Sequence, residues 1–588
     1  MVKYRLLTAG TVLAVVAMAC SSSASPSAAP ASQAPATQAP ASEAPASVAP
    51  SEAPSVAPSE SAAAGTPKDG GTLVAGLPGD MTNADPSLVS DSNSSEIEAQ
   101  VIQGLVGLQP GTNSEVIPVL AAAMPTVSSD GLTYTFTLRQ GVTFHDGTPF
   151  DATSVVYNYE RQKNAPKALQ NDFNYYFGAV FGFGADSNLE SVTATDPSTV
   201  VFKLKKPQSN FLLATTLPQF GIQSPTALKA GDADNPDPSK SPYGQGQGGT
   251  GKSMVGTGPF MFKEWVPNDH TTIVKNPNYW DAANAAHLDA ITFKPYADQT
   301  AELNALQAGD IAWAQTISPT DIKTLQADAN FTVVDRGASC NEFHLSLNNA
   351  DKPFDNLQIR QAIAYALNKQ SYIDAFYAGL AKPADNFMPP SAAYYKALNL
   401  PTYDPQKAKD LIAASGVPAD QLNLTFYYPS DVARPYMPDP KGLAEAIARD
   451  LEAVGFKITF KTEGWRTGYL SDSSVGKFPM DLLGWTCDWA GPDNFLVTDL
   501  FYFNGSKPNP QFNYGPAELK AAFDTGQSAA TDAEAQAAWS QAQDILAKDL
   551  PIVPILNSTP PAAEAAYVKD FIGSGNIIEL FNKVWLDK

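Results

Sequence analysis

Between Leu132 and Leu138 the side chains alternate, with Leu132, Tyr134, Phe136 and Leu138 separated by Thr133, Thr135 and Thr137. A period of two puts the apolar set on one face, so the stretch predicts a half-buried strand, and Asp146-Gly147 soon afterwards predicts a tight turn. Later the period lengthens to that of a helix. Ile359, Ile363, Ala366 and Leu367 share a face, Asp355 stands where it can cap that helix, and Gly379 follows the next short one. The earlier region reads as β-rich and the later half as α/β, with no internal repeat.

One run in the later half bears on function. Leu422, Leu424, Phe426 and Tyr428 alternate as a strand, and after the loop ARPYMPDP the residues Leu443, Ile447, Leu451 and Val454 form one helical face. Gly455 stops that helix, and Phe456, Ile458 and Phe460 begin a second strand, which makes a βαβ unit with Arg434 in the loop after its first strand. Met480 to Trp485 predicts a further, buried strand, with Asp488 in the loop that leaves it. Ligands of open α/β sheets bind at the carboxyl ends of strands, and both residues occupy such positions.

The beginning of the chain changes the picture. Lys3 and Arg5 precede an uncharged, mostly apolar run from Leu6 to Ala19, too short to span a bilayer but fitting the core of an export signal. Ala17-Met18-Ala19 matches a peptidase site, while Ala19-Cys20 resembles the end of a lipobox lacking the usual leucine three residues before the cysteine. Residues 21–66 are a run of Ser, Ala and Pro that has no means of building a core. At ~3.1 Å per residue such a segment reaches up to ~140 Å, and a tether implies an anchor, so lipidation of Cys20 is the expectation and free secretion the alternative.

From Gly70 onward the composition is that of a globular protein of two to four domains. The net charge of -22 argues against nucleic acid or an anionic membrane surface as partner. Of the three cysteines, Cys340 and Cys487 remain once Cys20 is set aside. Outside the cell they are candidates for one disulfide, with two separately buried thiols as the alternative.

Gly246 to Ser253, GQGGTGKS, fits the phosphate-loop pattern by letter but lacks the preceding strand, and Gly256-Thr257-Gly258-Pro259 precludes the following helix. His145, His270, His287 and His344 are scattered without metal-ligand spacing. There is no H-E-x-x-H, no G-x-S-x-G and no cysteine beside an obvious base, so neither a metal, a cofactor nor an enzyme is expected, although an exported hydrolase is the rival reading from another class.

Six stretches carry a family resemblance: DGLTYTFTLRQGVTFHDGTPFDATSVVYNYER (130–161), VGTGPFMFKEW (255–265), NPNYW (276–280), FDNLQIRQAIAYALNK (354–369), YDPQKAKDLIAASG (403–416) and LLGWTCDWAGPDNFL (482–496). In this order they resemble the family 5 solute-binding proteins of ABC importers, the peptide, dipeptide and nickel binding family. The resemblance implies an α/β, two-lobe periplasmic-binding-protein clamshell of type II-like, large cluster C architecture. Domain I would comprise 67–114 and 255–338, domain II 115–254, domain III 339–560, and 561–588 would return to domain I.

It further implies a monomeric receptor, lipid-anchored outside the cell membrane or periplasmic, that hands short peptides to an ABC permease. In the family's dipeptide binders an arginine in an RPY motif holds the ligand carboxylate and an aspartate in the GWT-x-D loop its ammonium. These fall on Arg434 and Asp488, with Tyr436, Trp465, Trp485 and Trp489 as candidates for the pocket wall. A Cys340–Cys487 bond would brace the loop carrying Asp488. The competing readings are an ion pair of Arg434 with Asp431 or Asp439, a turn-stabilising role for Asp488, and core packing of the aromatics. Gly491 stands where the family commonly has an acid, and Cys487 where it has a small residue. The same scaffold could also be tuned to an oligosaccharide, an opine-like compound or a metal chelate.

Overall fold

The alternation at 132–138 becomes the strand Thr133–Thr137, with Tyr134 and Phe136 buried on one face. It lies in a four-stranded antiparallel sheet, with Thr126–Val127 on one side and Thr199–Leu204 and Leu189–Asp196 on the other. This is a computed structural model, and it describes residues 65–170, 174–296, 298–576 and 578–588. Residues 1–64, on which the expected export signal, most of the expected tether and Cys20 fall, lie outside the described residues. Among those described, no helix is long and apolar enough to cross a membrane.

Two larger sheets complete the framework. One has seven strands in the order Phe331–Val334, Ala562–Ala565, Trp313–Ala314, Thr72–Leu77, Ala290–Pro295, His270–Lys275 and Phe260–Val266. The other has six, in the order Ala381–Pro383, Val553–Ser558, Asn341–Leu347, Met480–Thr486, Asn423–Pro429 and Lys457–Glu463. The four-stranded sheet is inserted in sequence between strands of the seven-stranded one.

The chain crosses between the two larger sheets twice, after Val334 and again after Ser558. Arg336, in the first crossing, donates to Pro560 in the second at 3.0 Å. The same guanidinium pairs with Glu579 at 2.5 Å, and both side chains are wholly buried.

The βαβ unit is the strand Asn423–Pro429, the helix Pro440–Val454 and the parallel strand Lys457–Glu463. Leu443, Ile447, Leu451 and Val454 face the core, and Gly455 ends the helix at φ 117°, where a Cβ would be strained. The helix containing Ile359 and Ile363 runs Leu357–Ala366, and its cap corrects the sequence expectation: Asn356, not Asp355, accepts from the backbone of Gln358. Both residue types serve as caps, and the helix begins one residue later than its apolar pattern implies.

Cys340 and Cys487 are joined by a disulfide, with Cα atoms 5.6 Å apart. It ties the start of Asn341–Leu347 to the end of its antiparallel neighbour Met480–Thr486, beside a backbone bond from Cys487 to Cys340 of 2.8 Å. The phosphate-loop-like stretch 246–253 is a series of turns with neither strand nor helix.

Candidate functional site

The loop after Asn423–Pro429 is pinched where Arg434 and Met437 exchange backbone hydrogen bonds of 3.0 and 2.8 Å. The pinch holds the Arg434 guanidinium 5.9 Å from the centre of the Tyr436 ring and 5.7 Å from that of Trp465. Tyr436 is itself fixed, stacked on Phe343 and pressed against Gly484, where a Cβ would come within 2.7 Å of its ring. Burial pushes its phenol up to about 12, against the opposing pull of Arg434. Trp465 stacks on Tyr469.

The two acids nearest Arg434 in sequence are otherwise engaged. Asp431 accepts from the backbone of Trp465 at 2.6 Å, and Asp439 caps the helix Pro440–Val454 at 2.9 Å. Among the described residues no acidic side chain forms an ion pair with Arg434, and its Nε is buried without a hydrogen-bond partner.

Asp488 follows the disulfide at the end of Met480–Thr486. Asn494 organises this loop: its carbonyl accepts from Trp485 Nε1 at 3.1 Å and from the backbone of Asp488 at 3.0 Å, while its amide donates to the Asp488 carboxylate at 3.0 Å. The second carboxylate oxygen accepts from the hydroxyl of Tyr176, at 2.9 Å, on the helix Tyr175–Phe181 beside the four-stranded sheet. Burial pushes Asp488 up to about 6, opposed by these neutral donors.

The same faces meet elsewhere. Asn210 bonds Asp493, which also accepts from Trp489 Nε1 at 2.9 Å, and Ser209 donates to Gly526 at 2.7 Å. Trp489, only 3% exposed, packs into the apolar cluster beneath the four-stranded sheet, not beside Arg434. Tyr436 and Trp465 therefore flank the guanidinium, Trp485 positions Asn494, and Trp489 joins the two faces.

Three buried ionisable groups lie beside this loop: Glu342 and Asp499, which the sequence did not single out, and His344, read there only as lacking metal-ligand spacing. Glu342, in register with Trp485, bonds His344 at 2.8 Å. Burial disfavours the imidazolium of His344, but Glu342 outweighs it and holds the ring above its ordinary value. Asp499 is pushed up to about 8, by burial first and by the charge of Glu342 second. The signal for Glu342 and His344 was present: they are ionisable residues two apart in a strand whose Phe343, Leu345 and Leu347 are apolar. Tyr176 gave none, because its partner is far away in sequence.

Asp488 also forms part of the wall of a cavity of about 580 Å³. Arg139, Gln103 and Trp280 line it too.

Arg434 and Asp488 each lie at the carboxyl end of a strand without a counter-charge among the described residues, and of the two only Asp488 lines that cavity. The model for bacterial extracellular solute-binding proteins, family 5 Middle, matches residues 115–507. The chain belongs to this family. As a family 5 member it is a solute-binding protein and not an enzyme.

This solute-binding protein is 31% identical over 477 residues to Di/tripeptide-binding protein 1 of Pseudomonas aeruginosa, covering 78% of this chain and 83% of that one. It is 30% identical over 498 residues to the glutathione-binding protein GsiB of Salmonella paratyphi A, covering 82% and 88%. Among solved structures it resembles the ABC transporter-associated periplasmic binding protein DppA from Helicobacter pylori in complex with peptide STSA. There the TM-score is 0.69 at 28% identity, over 89% of this chain and 99% of that chain.

Proposed function

We propose that the protein captures short peptides outside the cell by closure of two lobes and delivers them to a membrane permease, with Asp488 taking the peptide ammonium and Arg434 its carboxylate. The observation that carries this reading is the pair of unmatched charges. Arg434 rests on Tyr436 and Trp465 with a buried Nε lacking an acceptor, and Asp488 has only neutral donors. A zwitterion supplies both missing partners, and a guanidinium matches a carboxylate with two parallel bonds. The relatives named for di- and tripeptides, and the neighbour crystallised with a peptide, support the same class.

The lobes of this reading are the seven- and four-stranded sheets on one side and the six-stranded sheet on the other, following the three-domain division at 115, 255, 339 and 561. Tyr176 donates to Asp488 from the opposing face, a contact that this reading assigns to the closed form. We place the protein on the outer face of the membrane through a lipid on Cys20, with the Ser/Ala/Pro tether giving it reach. Loss of membrane association on Cys20→Ala is the expected result, and unchanged association contradicts the anchor.

The test of function is to incubate the purified protein with a peptide mixture and identify by native mass spectrometry what it carries. Intact di- or tripeptides are expected. Turnover of the peptides would overturn the binding reading, and retention of a sugar or chelate alone would reassign the ligand.

A further inference from the structure

The cavity that Asp488 lines is also lined by Arg139. Arg139 follows the strand Thr133–Thr137, and its Nε donates to the carbonyl of Val119 at 2.6 Å. Its guanidinium carbon lies 4.9 Å from the centre of the Trp280 ring. Trp280 is fixed in turn, since its Nε1 donates to Gln103 Oε1 at 2.9 Å, where Thr257 also donates at 2.9 Å, and Gln103 Nε2 donates to the Tyr279 hydroxyl at 2.8 Å. One edge of the guanidinium is thus tied to the backbone and one face to an indole. The two terminal nitrogens keep their four N–H donors without a partner among the described residues.

The other charged groups lining the cavity do not satisfy Arg139. Glu579 is paired with Arg336, and Asp281 accepts from Asn284 at 2.7 Å. Lys583 donates to the carbonyl of Ala283 at 2.5 Å and adds a second positive charge. A pinned arginine loses little conformational entropy when an anion arrives, and its planar fork fits a carboxylate with two bonds.

We propose that Arg139 is a carboxylate subsite and that the protein selects peptides carrying an acidic side chain. Asp488 would hold the ammonium, Arg434 the terminal carboxylate and Arg139 the side-chain carboxylate. This deepens the peptide reading and rests on it.

Calorimetry on the purified chain compares Ala-Glu with Ala-Gln, and Glu-Ala with Gln-Ala, since each pair differs in charge at nearly constant shape. At least one acidic peptide binds roughly ten- to hundredfold more tightly than its amide. Arg139→Gln abolishes that preference while leaving affinity for the amide unchanged, and Arg139→Lys retains part of it. Equal affinity of the wild type for acid and amide in both pairs overturns the subsite and leaves the peptide reading intact. That comparison decides the matter even where Arg139→Gln fails to fold. If no peptide binds but glutarate does, and Arg139→Gln loses it, Arg139 stands as a carboxylate site while the peptide reading, and selection of acidic peptides with it, falls. Binding of neither overturns both.

Discussion

Arg336 and Arg434 sit in two regions of one protein and meet opposite treatment. Arg336, at the crossings between the larger sheets, has a carboxylate on two of its nitrogens and a carbonyl on the third. Arg434, in a loop at the edge of the six-stranded sheet, has two aromatic rings and no carboxylate. Full pairing makes the first arginine a structural tie, because removing either partner strands a charge in the interior. Lack of pairing among the described residues leaves the second open, on the proposed reading, to a peptide carboxylate. The disulfide ties the first region to the loop of Asp488: Cys340 ends the crossing that Arg336 braces, and Cys487 precedes Asp488.

The largest expected effect comes from breaking the saturated arginine. Glu579→Gln leaves Arg336 buried without its counter-charge and costs about 3 to 5 kcal/mol of stability by chemical denaturation. Arg434→Gln strands no acid, so it leaves stability nearly unchanged. Equal losses in the two variants would remove the distinction drawn between them.

Removing the disulfide comes next. It closes a separation of 147 residues, and Cys340→Ser/Cys487→Ser should lower stability by about 2 to 4 kcal/mol. It should also weaken ligand binding by loosening the Asp488 loop. Peptide mapping without reduction checks the bond itself, and recovery of both residues as free thiols would contradict it.

How much of this was legible in the sequence depends on the range of the interaction. Local periodicity carried the strand Thr133–Thr137, the βαβ unit and the loop positions of Arg434 and Asp488, because side-chain period and turn chemistry are set within a few residues. The Asp355 cap was wrong by one position because Asn356 is an equally good acceptor. The ties of Tyr176 to Asp488, Asn210 to Asp493 and Arg336 to Glu579 were hidden, since they join residues hundreds apart and depend on how the sheets meet. Trp489 illustrates the same gap: as an aromatic in the site loop it could face a pocket or a core, and only the packing of the opposite face decides.

A smaller effect sharpens the comparison through pH. Asp488 titrates near 6 in the folded protein against an ordinary 3.8. The native state therefore takes up a proton where the unfolded chain does not, so this residue's contribution favours folding as pH falls and is lost as pH rises from 3.8 through 6. Affinity runs the other way. Below about pH 6 the carboxylate loses its charge while a peptide ammonium keeps its own, so binding weakens by at most about tenfold per pH unit. In Asp488→Asn that part of the pH dependence should vanish, and titration calorimetry at pH 7 and pH 5 reads the difference.

The central claim is that two unmatched charges await the two ends of a peptide. Calorimetry with a free dipeptide, its N-acetylated form and its C-amidated form, on wild type, Asp488→Asn and Arg434→Gln, tests it most directly. Each substitution should cost the free dipeptide about 2 to 5 kcal/mol. Asp488→Asn should leave the N-acetylated form almost unaffected, and Arg434→Gln the amidated form. A wild type that prefers capped peptides, or variants that weaken all three ligands alike, would contradict the account.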